Sequence, residues 1–194
     1  GSGGTAVFAA LQVAKNLSPD DLMIVLIPDS GRGYLSKIFD KNWMSKMGFS
    51  KSDGVTVEQL LKYRNSKLPE LLYAKPWETV RSAIETMKKY DVSCLPVAKG
   101  DMPLAAAEVI GSVSADQLMT KTFESTVDDH HLLEGIMIDP LPVLGIGQSI
   151  DEAVSVLRET EAVLVHNEGM PFAVLTQTDV MDFISGQKNS EVKA

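Results

Sequence analysis

Thr176 and Asp179 stand three residues apart, where the apolar run Phe172-Ala173-Val174-Leu175 gives way to a helical pattern. A hydroxyl followed at that spacing by a carboxylate places a donor-acceptor group and a bidentate acceptor at a helix start, where backbone N–H groups also face outward. Such a pair suits recognition and not bond making. An ionised Asp is an acceptor matched to two vicinal hydroxyls of a sugar, while the free N–H groups of a helix start are offered to an anion. An earlier stretch, Gly111-Ser112-Val113-Ser114-Ala115-Asp116-Gln117, repeats the arrangement in altered form. There the carboxylate position falls on Gln117, and Asp116 lies one step away, roughly 100° around a helix. The site is therefore expected in the second copy.

Other reactive side chains are arranged less productively. Asp128-Asp129-His130-His131 with Glu134 suggests a metal, but consecutive helical residues diverge and no His-x-x-x-His spacing accompanies them. Gly145-Ile146-Gly147 lacks the third glycine of a dinucleotide fingerprint and reads as a turn. Ser2 and Ser30 have no nearby His base in the sequence, and Lys15, Lys37 and Lys41 lie on polar helical patterns without an apolar cluster to depress a pKa. Cys94, the single cysteine, sits in an apolar strand and reads as a small buried hydrophobe.

The elements that position Thr176 and Asp179 occur twice. The first set is Thr79-Val80-Arg81-Ser82-Ala83-Ile84, then Cys94-Leu95-Pro96-Val97, then Ile110 to Ser114; the second is Ser149-Ile150-Asp151-Glu152-Ala153-Val154, then Ala162-Val163-Leu164-Val165, then Phe172 to Thr176. Each copy reads as a β-α-β-β-α unit, with strands at 71–74, 94–98 and 108–113 and helices at 79–90 and 115–122 in the first. The second has strands at 141–144, 162–166 and 172–175 and helices at 149–160 and 177–185, and Thr79 and Ser149 are the expected helix caps. Two such units pack face to face because neither closes a core alone. The fold class is α/β, built of α+β repeats.

The leading residues differ in kind. A helix at 6–15 is followed by an apolar strand at 22–27, a glycine-rich loop and a helix at 35–46. The strand is apolar throughout, as in a central strand of a parallel sheet covered on both faces. The expectation is a piece of a larger α/β domain over 1–49, a polar linker with a short amphipathic segment over 50–67, repeats over 68–125 and 126–186, and a tail over 187–194.

The apolar-Pro-Val strands and the closing Val-Leu-Thr-x-x-Asp resemble a tandem pair of CBS domains, the Bateman module. That resemblance covers about 68–186 and implies an adenosyl ligand, S-adenosylmethionine or AMP/ATP, with Thr176 on a phosphate or ribose oxygen and Asp179 on the ribose hydroxyls. It implies that Leu71, Leu72, Val92, Ser93 and Leu95 enclose the adenine, with Val174 below the ring. The segment Ile24 to Lys37, with Pro28-Asp29-Ser30-Gly31-Arg32-Gly33, then Asp40, Trp43, Met44, Gly48 and Phe49, resembles the end of the catalytic domain of the cystathionine β-synthase family. That family uses pyridoxal phosphate, and the resemblance gives Ser30 the pyridine nitrogen in the parent enzyme, with no cofactor in this fragment. The Schiff-base lysine of the family has no counterpart in the residues quoted, so the fragment is expected to be inactive, serving as a regulatory module of a transsulfuration enzyme. A ligand-free oligomerising module is the alternative.

Composition narrows the partners. With 194 residues, 44% hydrophobic, 23% charged and a formal net charge of -8, the chain has an ordinary globular balance and lacks the cationic excess that nucleic-acid backbones demand. No apolar run approaches the roughly 20 residues that cross a bilayer. One cysteine suits a reducing compartment, so a cytoplasmic homodimer that binds an adenosyl ligand and the catalytic domain of its parent is expected.

Overall fold

A computed structural model describes residues 1–64, 71–124 and 127–191, without the side chains of 187–191. The expected junctions at 67/68 and 125/126 and the end of the tail at 192–194 lie outside the described residues. The chain divides into two compact units, Gly1–Trp43 and Met44–Ala194.

In the first unit, helix α1 (Ser2–Ala14) begins in the glycine-rich opening, and a short 3-10 turn spans Gly31–Tyr34. The carboxylate of Asp29 ties the two together. It accepts from the Gly3 N–H at 2.7 Å and the Ser2 hydroxyl at 3.0 Å, and also from the Tyr34 hydroxyl. The Tyr34 bond holds the Asp29 carboxyl below its ordinary range, against the opposing effect of burial. A Cβ on Gly3 would lie 2.4 Å from the same carboxylate, so the close approach requires glycine there. The expected buried strand at 22–27 is corrected: the segment has no ladder partner among the described residues, and Leu22, Ile24 and Leu26 are each more than four-fifths exposed. A strand exists only where neighbours take up its N–H and C=O groups. The helix expected at 35–46 is shorter. It begins as α2 (Lys41–Lys46) after Asp40, whose carboxylate accepts from the N–H groups of Asn42 and Trp43.

The second unit contains both repeats. Helix α3 (Val57–Tyr63) precedes α4 (Val80–Tyr90), β1 (Cys94–Ala98), β2 (Val109–Ser114) and α5 (Ala115–Phe123). Then come β3 (Val143–Gly145), α6 (Ile150–Leu157), β4 (Ala162–Asn167), β5 (Met170–Thr176) and α7 (Gln177–Glu191). Strands β1 and β2 pair antiparallel, with Leu95 opposite Val113; β4 pairs parallel with β3 and antiparallel with β5, with Leu164 opposite Val174. Thr79 and Ser149 cap α4 and α6 by accepting from the N–H groups of Ser82 and Glu152.

The strand expected at 71–74 shrinks to a single bridge between Ala74 and Val97. Its counterpart β3 continues because the Ile146 N–H donates to the His166 carbonyl at 2.8 Å. On its other side β3 is held by the Leu164 N–H on the Pro142 carbonyl, and the residues corresponding to Leu164 and Ile146 in the first repeat are Pro96 and Pro76, neither of which has an N–H to give.

Each repeat is completed by the segment that leads into the other. The N–H groups of Val80, Leu133 and Glu134 donate to the carbonyls of His131, Glu78 and Pro76, joining residues 131–134 to the first half. Three matching bonds run from Ile150, Val57 and Glu58 to Val55, Gln148 and Ile146, joining residues 55–58 to the second half. Accordingly Val127, Leu133 and Ile136 are buried with Leu95, Val97 and Val113, while Val57 and Leu60 are buried with Leu144, Val163 and Leu175. The amphipathic piece in the stretch read as a linker is thus core of the second half. A third cluster, Leu71, Ala98, Leu104, Val109 and Leu164, with Val174 against it, joins the two halves.

Residues 44–52 lie close along β3. A Cβ on Gly145 would sit 1.7 Å from the Ser45 carbonyl oxygen, so Gly145→Ala should destabilise the unit by about 1–3 kcal/mol, read as a lowered midpoint in urea unfolding. The same segment covers His166, which is 2% exposed, with Nδ1 3.3 Å from the Met47 sulfur and no partner for Nε2 among the described residues. Burial holds this imidazole below its ordinary pKa of 6.5. The unfolded chain therefore takes up the proton first, so this contribution is complete above that value and is lost as pH falls below it. Melting temperatures from about pH 8 to about pH 5 should decline less steeply in His166→Leu than in the wild type. Parallel profiles would overturn the assignment.

Candidate functional site

The two halves leave a cleft of about 1020 Å³ at one end of their junction. Its walls come from the end of α3 (Tyr63, Arg64), the turn from α4 into β1 (Lys89 to Ser93), the start of α5 (Ala115), and the turn from β5 into α7 (Thr176, Thr178, Asp179, Asp182). The size accommodates a ligand of nucleotide dimensions. The Tyr63 ring meets Phe183 edge to face, with centroids 5.4 Å apart, which fixes one wall.

At the β5–α7 turn, one oxygen of Asp179, Oδ2, accepts from both the N–H and the hydroxyl of Thr176, each at 2.8 Å. In return the Thr176 Oγ1 accepts from the Asp179 N–H at 3.4 Å. The turn thus holds the carboxylate in a fixed orientation. The other oxygen, Oδ1, lies 3.4 Å from the Arg64 Nε, and the Arg64 Nη1 donates to the Val174 carbonyl at 3.0 Å. Arg64 and Asp179 retain only 22% and 16% of their side-chain exposure, so this ion pair is substantially removed from water.

The first half has the same turn with different chemistry. Ser114 accepts from the Gln117 N–H at 3.2 Å, and the Gln117 side-chain amide donates to the Ile136 carbonyl. With its amide committed to that carbonyl and no negative charge, Gln117 offers a diol much less than Asp179 does.

Of the residues expected around an adenosyl ligand, the structure brings Val92, Ser93, Thr176 and Asp179 to the cleft wall. It does not bring the other four there. Leu95 is wholly buried in the core of the first half with Leu72 packed against it, and Leu71 and Val174 lie in the cluster between the halves. Hydrophobic packing wins these aliphatic side chains because the core of the first half takes Leu72 and Leu95, and the junction between the halves takes Leu71 and Val174. Sequence reasoning missed Tyr63, Arg64, Lys89, Tyr90 and Asp182. Arg64 carried no local signal, since it reaches Asp179 only through the exchange of leading segments.

The remaining reactive groups are quiet. Cys94 is buried, and burial, reinforced by Glu161, pushes its thiol up to about 12. His131 hydrogen-bonds Asp128 at 3.0 Å and Arg81 pairs with Asp129; among the described residues no group of three His, Cys, Asp or Glu side chains is placed to hold a metal. Ser30 is exposed on irregular chain, and the first turn of α1 already holds the Asp29 carboxylate. The residues of Gly1–Trp43 thus do not by themselves fit a pyridoxal phosphate. Among the described residues no helix is long and apolar enough to cross a membrane.

Residues 133–186 match the family model described as CBS domain. This chain carries a CBS domain. The fold of the two halves is that of a CBS-domain pair, as in CBSX2 of Arabidopsis thaliana in complex with AMP, with a TM-score of 0.54 at 22% identity over 70% of this chain and 99% of that one. A CBS-domain protein of Pyrobaculum aerophilum complexed with AMP gives a TM-score of 0.54 at 17% identity, covering 64% of this chain and 89% of that one. Among curated proteins, cystathionine β-synthase of Oryctolagus cuniculus is 21% identical over 204 residues, covering 96% of this chain and 36% of the relative. The chain spans about a third of the length of such relatives.

Thr176 both anchors the Asp179 carboxylate and accepts from its N–H. Thr176→Val removes the two bonds of the hydroxyl while keeping the backbone N–H on Oδ2 and conserving shape, and should cost about 1 kcal/mol in chemical unfolding. An unchanged midpoint would show that the turn does not depend on these bonds.

Proposed function

We propose that this CBS pair is the regulatory, adenosyl-ligand-binding module of a cystathionine β-synthase-like enzyme, and that the ligand, S-adenosylmethionine or AMP/ATP, occupies the cleft at Thr176 and Asp179. The observation that carries this reading is the Asp179 carboxylate, oriented by Thr176 and facing a nucleotide-sized cleft between the halves. The AMP complexes of two proteins with the same fold support it. Similarity to cystathionine β-synthases along nearly the whole chain supports the parent enzyme. That enzyme would use pyridoxal phosphate, and holding it would take more than the residues of Gly1–Trp43. Control follows from linkage: a ligand that binds the cleft better in one arrangement of the halves shifts the equilibrium toward that arrangement, and a catalytic domain coupled to it follows.

A homodimeric, ligand-free scaffold is the competing reading. Its support is the closed Gln117 turn and the exposed Met119, Phe123 and Met181 on α5 and α7.

Titration calorimetry with AMP, ATP and S-adenosylmethionine separates the two. Saturable binding of at least one is expected, weakened roughly tenfold or more in Asp179→Asn, which keeps the shape and removes the charge. No heat at millimolar concentrations of all three would favour the scaffold.

A further inference from the structure

Arg64 lies on the carboxylate oxygen that a sugar diol needs. Oδ2 of Asp179 already accepts two hydrogen bonds from Thr176, and Oδ1 faces the guanidinium at 3.4 Å. A ribose that takes up Oδ1 therefore deprives Arg64 of its counter-ion. Arg64 also donates to the Val174 carbonyl and is only 22% exposed, so it is not simply released to water. A cation left without its partner in such a place costs more than the same cation on an open surface.

The ligand determines how that cost is met. A phosphate ester attached to the same ribose offers the guanidinium a dianion with oxygens spaced for paired N–H donors. Adenosine offers nothing in return. S-adenosylmethionine brings a carboxylate but accompanies it with an ammonium and a sulfonium. The other charges on the cleft do not alter this ordering: Lys89, Asp91 and Asp182 are exposed, where water and salt screen them.

We propose that Arg64 is a charge gate over Asp179, and that it makes this cleft selective for phosphorylated adenosine over uncharged or cationic adenosyl compounds. The inference rests on the adenosyl reading of the cleft and goes further by naming the ligand class and the residue that sets it. Arg64 acts here as a specificity-determining residue and not as a structural cap, so its removal changes the ranking of ligands.

The test is calorimetric titration of the 194-residue chain, wild type and Arg64→Gln, with AMP, adenosine and S-adenosylmethionine. The wild type is expected to bind AMP roughly tenfold or more tightly than either of the others. In Arg64→Gln, AMP should weaken by about that factor while adenosine holds or tightens, bringing their ratio close to one. Equal wild-type affinities for AMP and adenosine, or an unchanged ratio in the variant, overturn the gate and leave the adenosyl reading standing. No binding of any of the three overturns both. Should the variant fold poorly, the wild type alone decides: its preference for AMP over adenosine should shrink between about 0.05 M and 0.5 M salt, and a salt-independent preference overturns the gate.

Discussion

The second unit depends on a reciprocal exchange of leading segments. Neither repeat closes its own core: residues 127–136 seal the first half, and α3 with the strand-like stretch before it seals the second. The two junctions use three equivalent backbone hydrogen bonds each, so the duplication extends beyond the repeats to the connections between them. Exchange of this kind makes the halves thermodynamically dependent on each other, since separating them exposes Leu60 on one side and Leu133 on the other.

The cleft inherits its chemistry from that exchange. Asp179 belongs to the second repeat, Lys89 to Ser93 belong to the first, and Arg64 arrives on the end of the segment that crosses between them. Around that carboxylate the cleft wall thus gathers groups from three parts of the chain. A ligand that engages it disturbs the Arg64 pair directly, and through α3 it acts on the core of the second half, where Leu60 is buried one turn away from Arg64. The physical route from occupied cleft to altered packing is short.

Much of the repeat architecture could be read from residue order. The caps at Thr79 and Ser149, the fully buried strands around Leu95 and Leu164, and the strand-to-helix turn at Thr176 follow from periodicity and local hydrogen-bonding chemistry, which neighbouring residues largely settle. Two of the expectations that failed did so for reasons that periodicity does not encode. The strand at 71–74 lost its ladder to the missing N–H groups of Pro96 and Pro76 on either side of the Ala74 bridge, and the apolar segment at 22–27 remains exposed because nothing among the described residues pairs with it.

Sequence alone therefore determined the duplicated β-α-β-β-α units, their fold class and the presence of a hydroxyl and a carboxylate poised at a helix start, because each of these is a property of residues within a few positions of one another. Tertiary structure decided which segment completes which half, that Leu71, Leu72, Leu95 and Val174 serve packing, and that Arg64 covers Asp179. Those outcomes depend on contacts between residues far apart along the chain, from the bond between the Val80 N–H and the His131 carbonyl to the bond from Arg64 to the Val174 carbonyl. Local pattern carries no information about such contacts; only the competition among all apolar surfaces for burial selects them.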